Sequence, residues 1–170
     1  MGGSVDATGK WIAEHGFDLL TAAGLGVKLS PARAFSTTEG RRERSVEIVP
    51  SEPHPIRGFA AIVGYPNPYI DLPVLTPLPQ KRADAPDDTL NRNYVNMLTS
   101  DVVVALSGSQ GTPEEIWLAE RFAKPLICIG PAEDFDGVPP ETRIVVEPTA
   151  AYEFVLATTS EVDKALTPKS

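Results

Sequence analysis

The sequence predicts an α/β chain: a Rossmann-like, doubly wound parallel sheet in a three-layer αβα arrangement. Three observations carry that expectation. Short apolar runs alternate with helix-like segments along most of the chain, which is the pattern of βαβ units. Two of the runs end in glycine loops where strand gives way to helix, Gly24-Leu25-Gly26 and Ser107-Gly108-Ser109-Gln110-Gly111. A length of 170 residues with 42% hydrophobic content suffices for a single domain with a real core.

Asp6 to His15 reads as a helix: Asp6 can cap it, Trp11 and Ile12 give it an apolar face, and Gly16 ends it. Phe17 to Ala23 reads as a strand entering Gly24–Gly26. Ser30 to Glu39 follows as a helix, with Pro31 in its first turn and Gly40 closing it. Ser45-Val46-Glu47-Ile48-Val49 is a short strand that Pro50 is expected to stop. Nine of the 17 prolines fall within residues 50–90, too many for a regular helix. That stretch predicts an extended surface excursion inside the same domain, with one strand near Ile70–Thr76. Within it, Tyr65-Pro66-Asn67-Pro68-Tyr69 suggests a rigid turn. Its tyrosines suit packing of the loop onto the body better than stacking on a ligand base.

Alternation then resumes. Leu90–Thr99 reads as helix, 101–106 as strand, 112–122 as helix and 125–130 as strand. Glu133-Asp134-Phe135-Asp136-Gly137 is a solvated acidic loop, Thr142–Val146 a strand, and Thr149 to about Ala165 a helix. The beginning differs from the usual pattern. A doubly wound fold places a Gly-Gly-Ser turn after its first, central strand. Here Met1-Gly2-Gly3-Ser4 leads straight into a helix, so the first strand is expected to be missing or truncated, lying upstream of Met1.

Net charge is −8 and pI about 4.7, against nucleic-acid or acidic-membrane partners, which need a basic face. No apolar run approaches the roughly 18–20 residues of a membrane span, and no signal-peptide pattern is present. The one cysteine, Cys128, lies in an apolar run and reads as core. A lone cysteine suits a reducing, cytoplasmic setting. With two histidines and one cysteine, no metal site is expected.

The candidate binding residues are Gly2, Gly3, Ser4, Gly24, Gly26, Ser107, Gly108, Ser109, Gln110, Gly111 and Thr112. Small residues let backbone approach a ligand, and a helix start offers unpaired N–H groups to an anion. Thr112-Pro113-Glu114-Glu115 is also a capping box, which alone explains Thr112, Pro113 and Glu115. It does not explain the small, polar run Ser107–Gly111. No lysine follows the second glycine, so the loop is not a Walker sequence. Adjacent strand ends commonly share one ligand crevice, which favours the glycine loops acting together. Lys28 suits phosphate or solvent equally. Arg92, opening a helix, is placed to fork onto a phosphate or hold a carboxylate. Arg41, Arg42 and Arg44 read as solvated surface.

These residues resemble the lysine-decarboxylase-like, or LOG-like, Rossmann superfamily, over roughly residues 2–130. The superfamily includes cytokinin-activating phosphoribohydrolases and molybdenum-cofactor carrier proteins. The family pattern is an arginine-bearing helix, an apolar strand and then Pro-Gly-Gly-x-Gly-Thr-x-x-Glu. Gly108, Gly111, Thr112 and Glu115 match it; Ser107 replaces the proline and Ser109 a glycine. Thr21-Ala22-Ala23-Gly24-Leu25-Gly26 is similar to the family's Thr-Gly-Gly-Gly-x-Gly, with two glycines now alanine. The Tyr65–Thr76 stretch looks closest to the carrier-like branch. The resemblance implies a homo-oligomer, dimer or tetramer, and a small phosphorylated ligand: a nucleoside monophosphate or a molybdopterin-type cofactor. In the hydrolase branch it implies catalytic roles for Arg92 and Glu115 at the ribose–base bond of a nucleoside 5′-monophosphate. The altered motif favours ligand binding over that phosphoribohydrolase activity, and both over a non-catalytic oligomeric scaffold.

Overall fold

The computed structural model describes residues 2–21, 29–82, 85–86, 88–107, 112–135 and 137–166. The chain forms two compact units, residues 1–96 and 97–170.

The first unit opens with helix α1 (Gly2–Glu14). The helix starts four residues earlier than Asp6, which therefore lies inside it and meets Arg33 at 3.4 Å instead of capping. Strand β1 (Leu19–Thr21) and helix α2 (Leu29–Ser36) follow. α1 and α2 pack closely: a Cβ on Gly9 would collide with the Pro31 carbonyl oxygen and lie 2.9 Å from the Pro31 Cα. Gly16 and Gly40 both carry φ of 76°, a left-handed conformation suited to glycine after a helix. Ala13, Leu19 and Phe35 form the buried cluster between these elements, with Ile12 against it.

Strand β2 runs from Ser45 to His54, well past Pro50, where the sequence predicts a stop. Proline is harmless to a ladder wherever its missing N–H has no partner to lose. β1 pairs with β2 in parallel only as far as Glu47. At Pro50 the neighbour is β4 (Leu72–Thr76), also parallel, and the Pro50 carbonyl still accepts the Ile62 N–H at 3.3 Å. Beyond it, β2 turns into a hairpin with β3 (Gly58–Ala61), antiparallel, with Pro53 opposite Phe59. The proline count hides this hairpin from sequence reading. Its turn is closed by His54, whose Nδ1 accepts the N–H of Ile56 and Arg57 at 3.3 and 3.2 Å, and by Gly58 at φ 75°. The expected strand at 70–76 is β4.

Arg41, expected in a solvated cluster, instead clamps this unit. Its Nη1 and Nη2 donate to Asp71 Oδ2 and Oδ1 at 2.7 and 2.9 Å, and its guanidinium lies 5.0 Å from the Phe35 ring centroid. Asp71 Oδ2 also accepts the backbone N–H and hydroxyl of Ser45 at 2.8 and 3.0 Å, tying the start of β2 to that of β4. The Arg41 fork, and behind it the Ser45 donors, hold the Asp71 carboxyl far below the usual carboxylate range. A lowered folded pKa means stability present above the ordinary value of 3.8 and lost as pH falls through the folded value. Asp71→Asn is therefore expected to cost about 1–2 kcal/mol at pH 7, a charged hydrogen-bond contribution discounted for partial exposure. The gap from the parent, read from urea midpoints, should stay constant down to about pH 4 and close below it.

Helix α3 (Arg92–Thr99) spans the division between the units. In the second unit, β5 (Val103–Leu106), β6 (Leu126–Ile129) and β7 (Arg143–Val145) form a parallel sheet in that order. Helix α4 (Thr112–Arg121) packs on β5 and β6, and α5 (Pro148–Leu166) on β6 and β7. Every residue of β6 is buried, as a central parallel strand requires. Ile127, Ile129 and Ala151 form the core, joined by Val104, Leu106, Val145 and Phe154. Cys128, between the two isoleucines in β6, is fully buried as expected: burial pushes its thiol up to about 11, which leaves almost no thiolate at neutral pH. Residues 132–135 of the acidic loop form a short 3₁₀ turn that buries Phe135. Among the described residues, no helix is long and apolar enough to cross a membrane.

Candidate functional site

In the second unit, the loop singled out by sequence is bracketed by well-placed ends. Ser107 continues β5 and donates its N–H to the Ile129 carbonyl at 3.1 Å. The next strand, β6, is followed directly by Gly130, whose N–H reaches the Val145 carbonyl at 2.9 Å. Gly130 has φ of 148°, and a Cβ there would lie 2.5 Å from Ser107 Cβ, 2.6 Å from its Oγ and 3.2 Å from Phe135. Only glycine fits, because Ser107 fills the space a side chain would need. On the other side of the loop, α4 begins at Thr112 with Glu114 and Glu115 in its first turn, as the capping pattern predicts. Gly108, Ser109, Gln110 and Gly111 lie outside the described residues. So the loop leaves the carboxyl end of a parallel strand and enters a helix amino terminus, the place where α/β sheets receive anionic ligands.

In the first unit, Gly2, Gly3 and Ser4 are in the first turn of α1, where the sequence predicts a loop. Glycine is a weak helix former, but the N–H groups of a first turn have no intrahelical partner in any case. Gly24 and Gly26 lie outside the described residues.

Arg92 opens α3, as expected, and is 4% exposed. Its Nη1 donates to the Ile48 carbonyl at 3.1 Å and its Nη2 to the Tyr65 hydroxyl at 3.0 Å. The guanidinium also lies 5.0 Å from the Tyr65 ring centroid, within cation–π range. Tyr65 thus packs its loop onto the body, the role the sequence favours for it.

Beside this arginine sits an acid that sequence reading missed. Glu47 of β2 is fully buried, and its Oε2 accepts the Asn67 N–H at 2.9 Å. Burial raises its pKa above the ordinary 4.5, while the Asn67 N–H and the charge of Arg92 pull the other way. Tyr65 is also raised, first by burial. Asn67 is buried too; its Oδ1 accepts the Tyr69 N–H at 2.9 Å, so its amide orientation is set. The available signal was an acid within the apolar run Ser45–Val49, where a parallel strand has no solvent face to give it. Among the described residues, no group of three or more His, Cys, Asp and Glu side chains is arranged to hold a metal ion.

The model of a protein family described as the SLOG cluster4 family matches residues 3–162. The chain belongs to the SLOG cluster4 family. No curated protein matches it at a significant level. Solved structures do resemble this SLOG cluster4 chain. The molybdenum cofactor carrier protein MCP from Chlamydomonas reinhardtii superposes with a TM-score of 0.65 at 24% identity, over 94% of this chain and 88% of that one. The molybdenum cofactor binding protein from the phototrophic bacterium Rippkaea orientalis gives 0.67 at 23% identity, over 92% and 86%. These likenesses establish the Rossmann-like three-layer α/β fold for the SLOG cluster4 chain, and the family match bears out its resemblance to the LOG-like superfamily.

Proposed function

We propose that this SLOG cluster4 chain binds a small phosphorylated ligand, nucleotide-like or a pterin cofactor, at the loop between β5 and α4. The observation that carries the proposal is the close seating of Ser107 against Gly130, which anchors a run of small residues between a strand's carboxyl end and a helix amino terminus. The names of the two similar structures, a molybdenum cofactor carrier and a molybdenum cofactor binding protein, support a pterin-type cargo. Backbone N–H groups and the hydroxyls of Ser107, Ser109 and Thr112 are the groups that would hold its phosphate. A homo-oligomer in the cytoplasm is part of the same reading.

Calorimetric titration of the whole chain with AMP, other nucleoside monophosphates and molybdopterin tests it. Saturable binding of at least one is expected; heats indistinguishable from dilution for all of them would sink the proposal. The hydrolase reading has less behind it. It needs Arg92 on the ligand, yet that guanidinium already donates to Ile48 and Tyr65 and is buried. Free base released from AMP, and lost in Glu115→Gln, would reverse that ranking.

A further inference from the structure

We propose that Glu47 and Asn67 form a binding site for one internal water molecule, which completes the polar ring supporting Arg92. The ring is otherwise continuous. Glu47 Oε2 accepts the Asn67 N–H, Tyr65 of the same turn accepts Arg92 Nη2, and Arg92 Nη1 returns to the carbonyl of Ile48, next to Glu47 in β2. Among the described residues, Glu47 Oε1 and Asn67 Nδ2 in this ring have no hydrogen-bond partner. Both belong to side chains at most 1% exposed, so bulk solvent does not reach them. Buried polar atoms in folded proteins nearly always find a partner.

The two atoms are chemically complementary. A carboxylate oxygen only accepts and an amide nitrogen only donates. Asn67 cannot exchange its two ends, because Oδ1 is already taken by the Tyr69 N–H. A proton on Glu47 Oε1 would not serve, since it would turn an acceptor into a second donor and leave Nδ2 unmatched. Water is the smallest group that donates to one and accepts from the other, and internal waters typically occupy such polar gaps. The charge of Arg92 acts on Glu47, and that of Glu47 on Tyr65, so the water lies in a ring that already carries a compensating positive charge.

The site is read in the ligand-free whole chain, so its test does not depend on what the protein binds. A crystal structure at about 1.8 Å or better should show one ordered water within roughly 2.7–3.2 Å of both atoms. In solution, the Asn67 side-chain amide protons should show cross-relaxation to a long-lived water. Glu47→Leu removes the acceptor and should abolish that signal. If that variant does not fold, the parent measurement alone still decides. Direct bonding of Glu47 Oε1 or Asn67 Nδ2 to a protein group, with no water between them, overturns the proposal. So does the lack of a water cross-peak in the folded parent.

Discussion

Replacing Arg92 by alanine is expected to lower the unfolding free energy by about 3–5 kcal/mol at pH 7, the range for removing one partner of a buried charged pair. Three losses combine. The Ile48 carbonyl and the Tyr65 hydroxyl each lose a charged donor, the Tyr65 ring loses its stacked cation, and Glu47 is left buried without the charge that offsets its desolvation. The last loss gives the variant a pH signature. A carboxyl with a raised folded pKa contributes stability that is fully present below its ordinary value of 4.5 and lost as pH rises through the folded value. Removing Arg92 raises Glu47 further, so the deficit of the variant should be larger at pH 7 than at pH 4.5. Comparing variant with parent at each pH cancels the opposite-signed contribution of Asp71. Arg92→Lys should fall between the two, because an ammonium keeps the charge but cannot fork to two acceptors. Urea unfolding of the three proteins at both pH values checks this. A deficit for Arg92→Ala below about 1 kcal/mol would mean that Arg92 is not a support of the fold, and its role as a ligand contact would regain ground.

Arg92 also marks the limit of what the sequence reveals. Its position at the opening of a helix was legible, because local punctuation of the kind supplied by Gly16, Gly40 and Thr112-Pro113 acts within a few residues. The same holds for β5, β6 and α4, whose apolar periods and caps agree. What Arg92 touches was not legible. Ile48 and Tyr65 lie 44 and 27 residues away in sequence, and no local pattern encodes such a meeting. Pro50 and Pro53 misled for a related reason: whether a proline breaks a strand depends on which ladder side is occupied, which is a property of the neighbouring strands. Arg41 looked like one of three surface charges until Asp71, 30 residues on, supplied its partner. Glu47 was the one exception with a usable local clue, a charge with no solvent face in a parallel strand.

Gly130→Ala should be the most damaging small change near the proposed ligand loop, costing about 2–4 kcal/mol. Two effects act at once. An alanine at φ 148° is strained, a penalty of about 1–3 kcal/mol. Its Cβ would also lie 2.5 Å from Ser107 Cβ, and overpacking of this kind costs about 1–3 kcal/mol. Relief of the second effect is possible only by moving Ser107, and Ser107 is the residue through which β5 enters the loop. The variant is therefore expected to weaken ligand binding as well as the fold, at least tenfold in a calorimetric titration run below the variant's melting temperature. The double variant Ser107→Gly with Gly130→Ala separates the two effects. Without a side chain at 107 the collision with Ser107 disappears, while the backbone strain and the 3.2 Å approach to Phe135 remain, so the pair should recover about 1–2 kcal/mol relative to Gly130→Ala, a coupling measurable in a double-mutant cycle. If Gly130→Ala is as stable as the parent, Ser107 does not pack against it and the loop is anchored some other way. If stability falls while affinity is unchanged, the β5–α4 loop is not where the ligand binds. Recovery of stability in the double variant with affinity still reduced would assign the loss to the Ser107 hydroxyl itself, the group at the proline position of the motif that the sequence resembles.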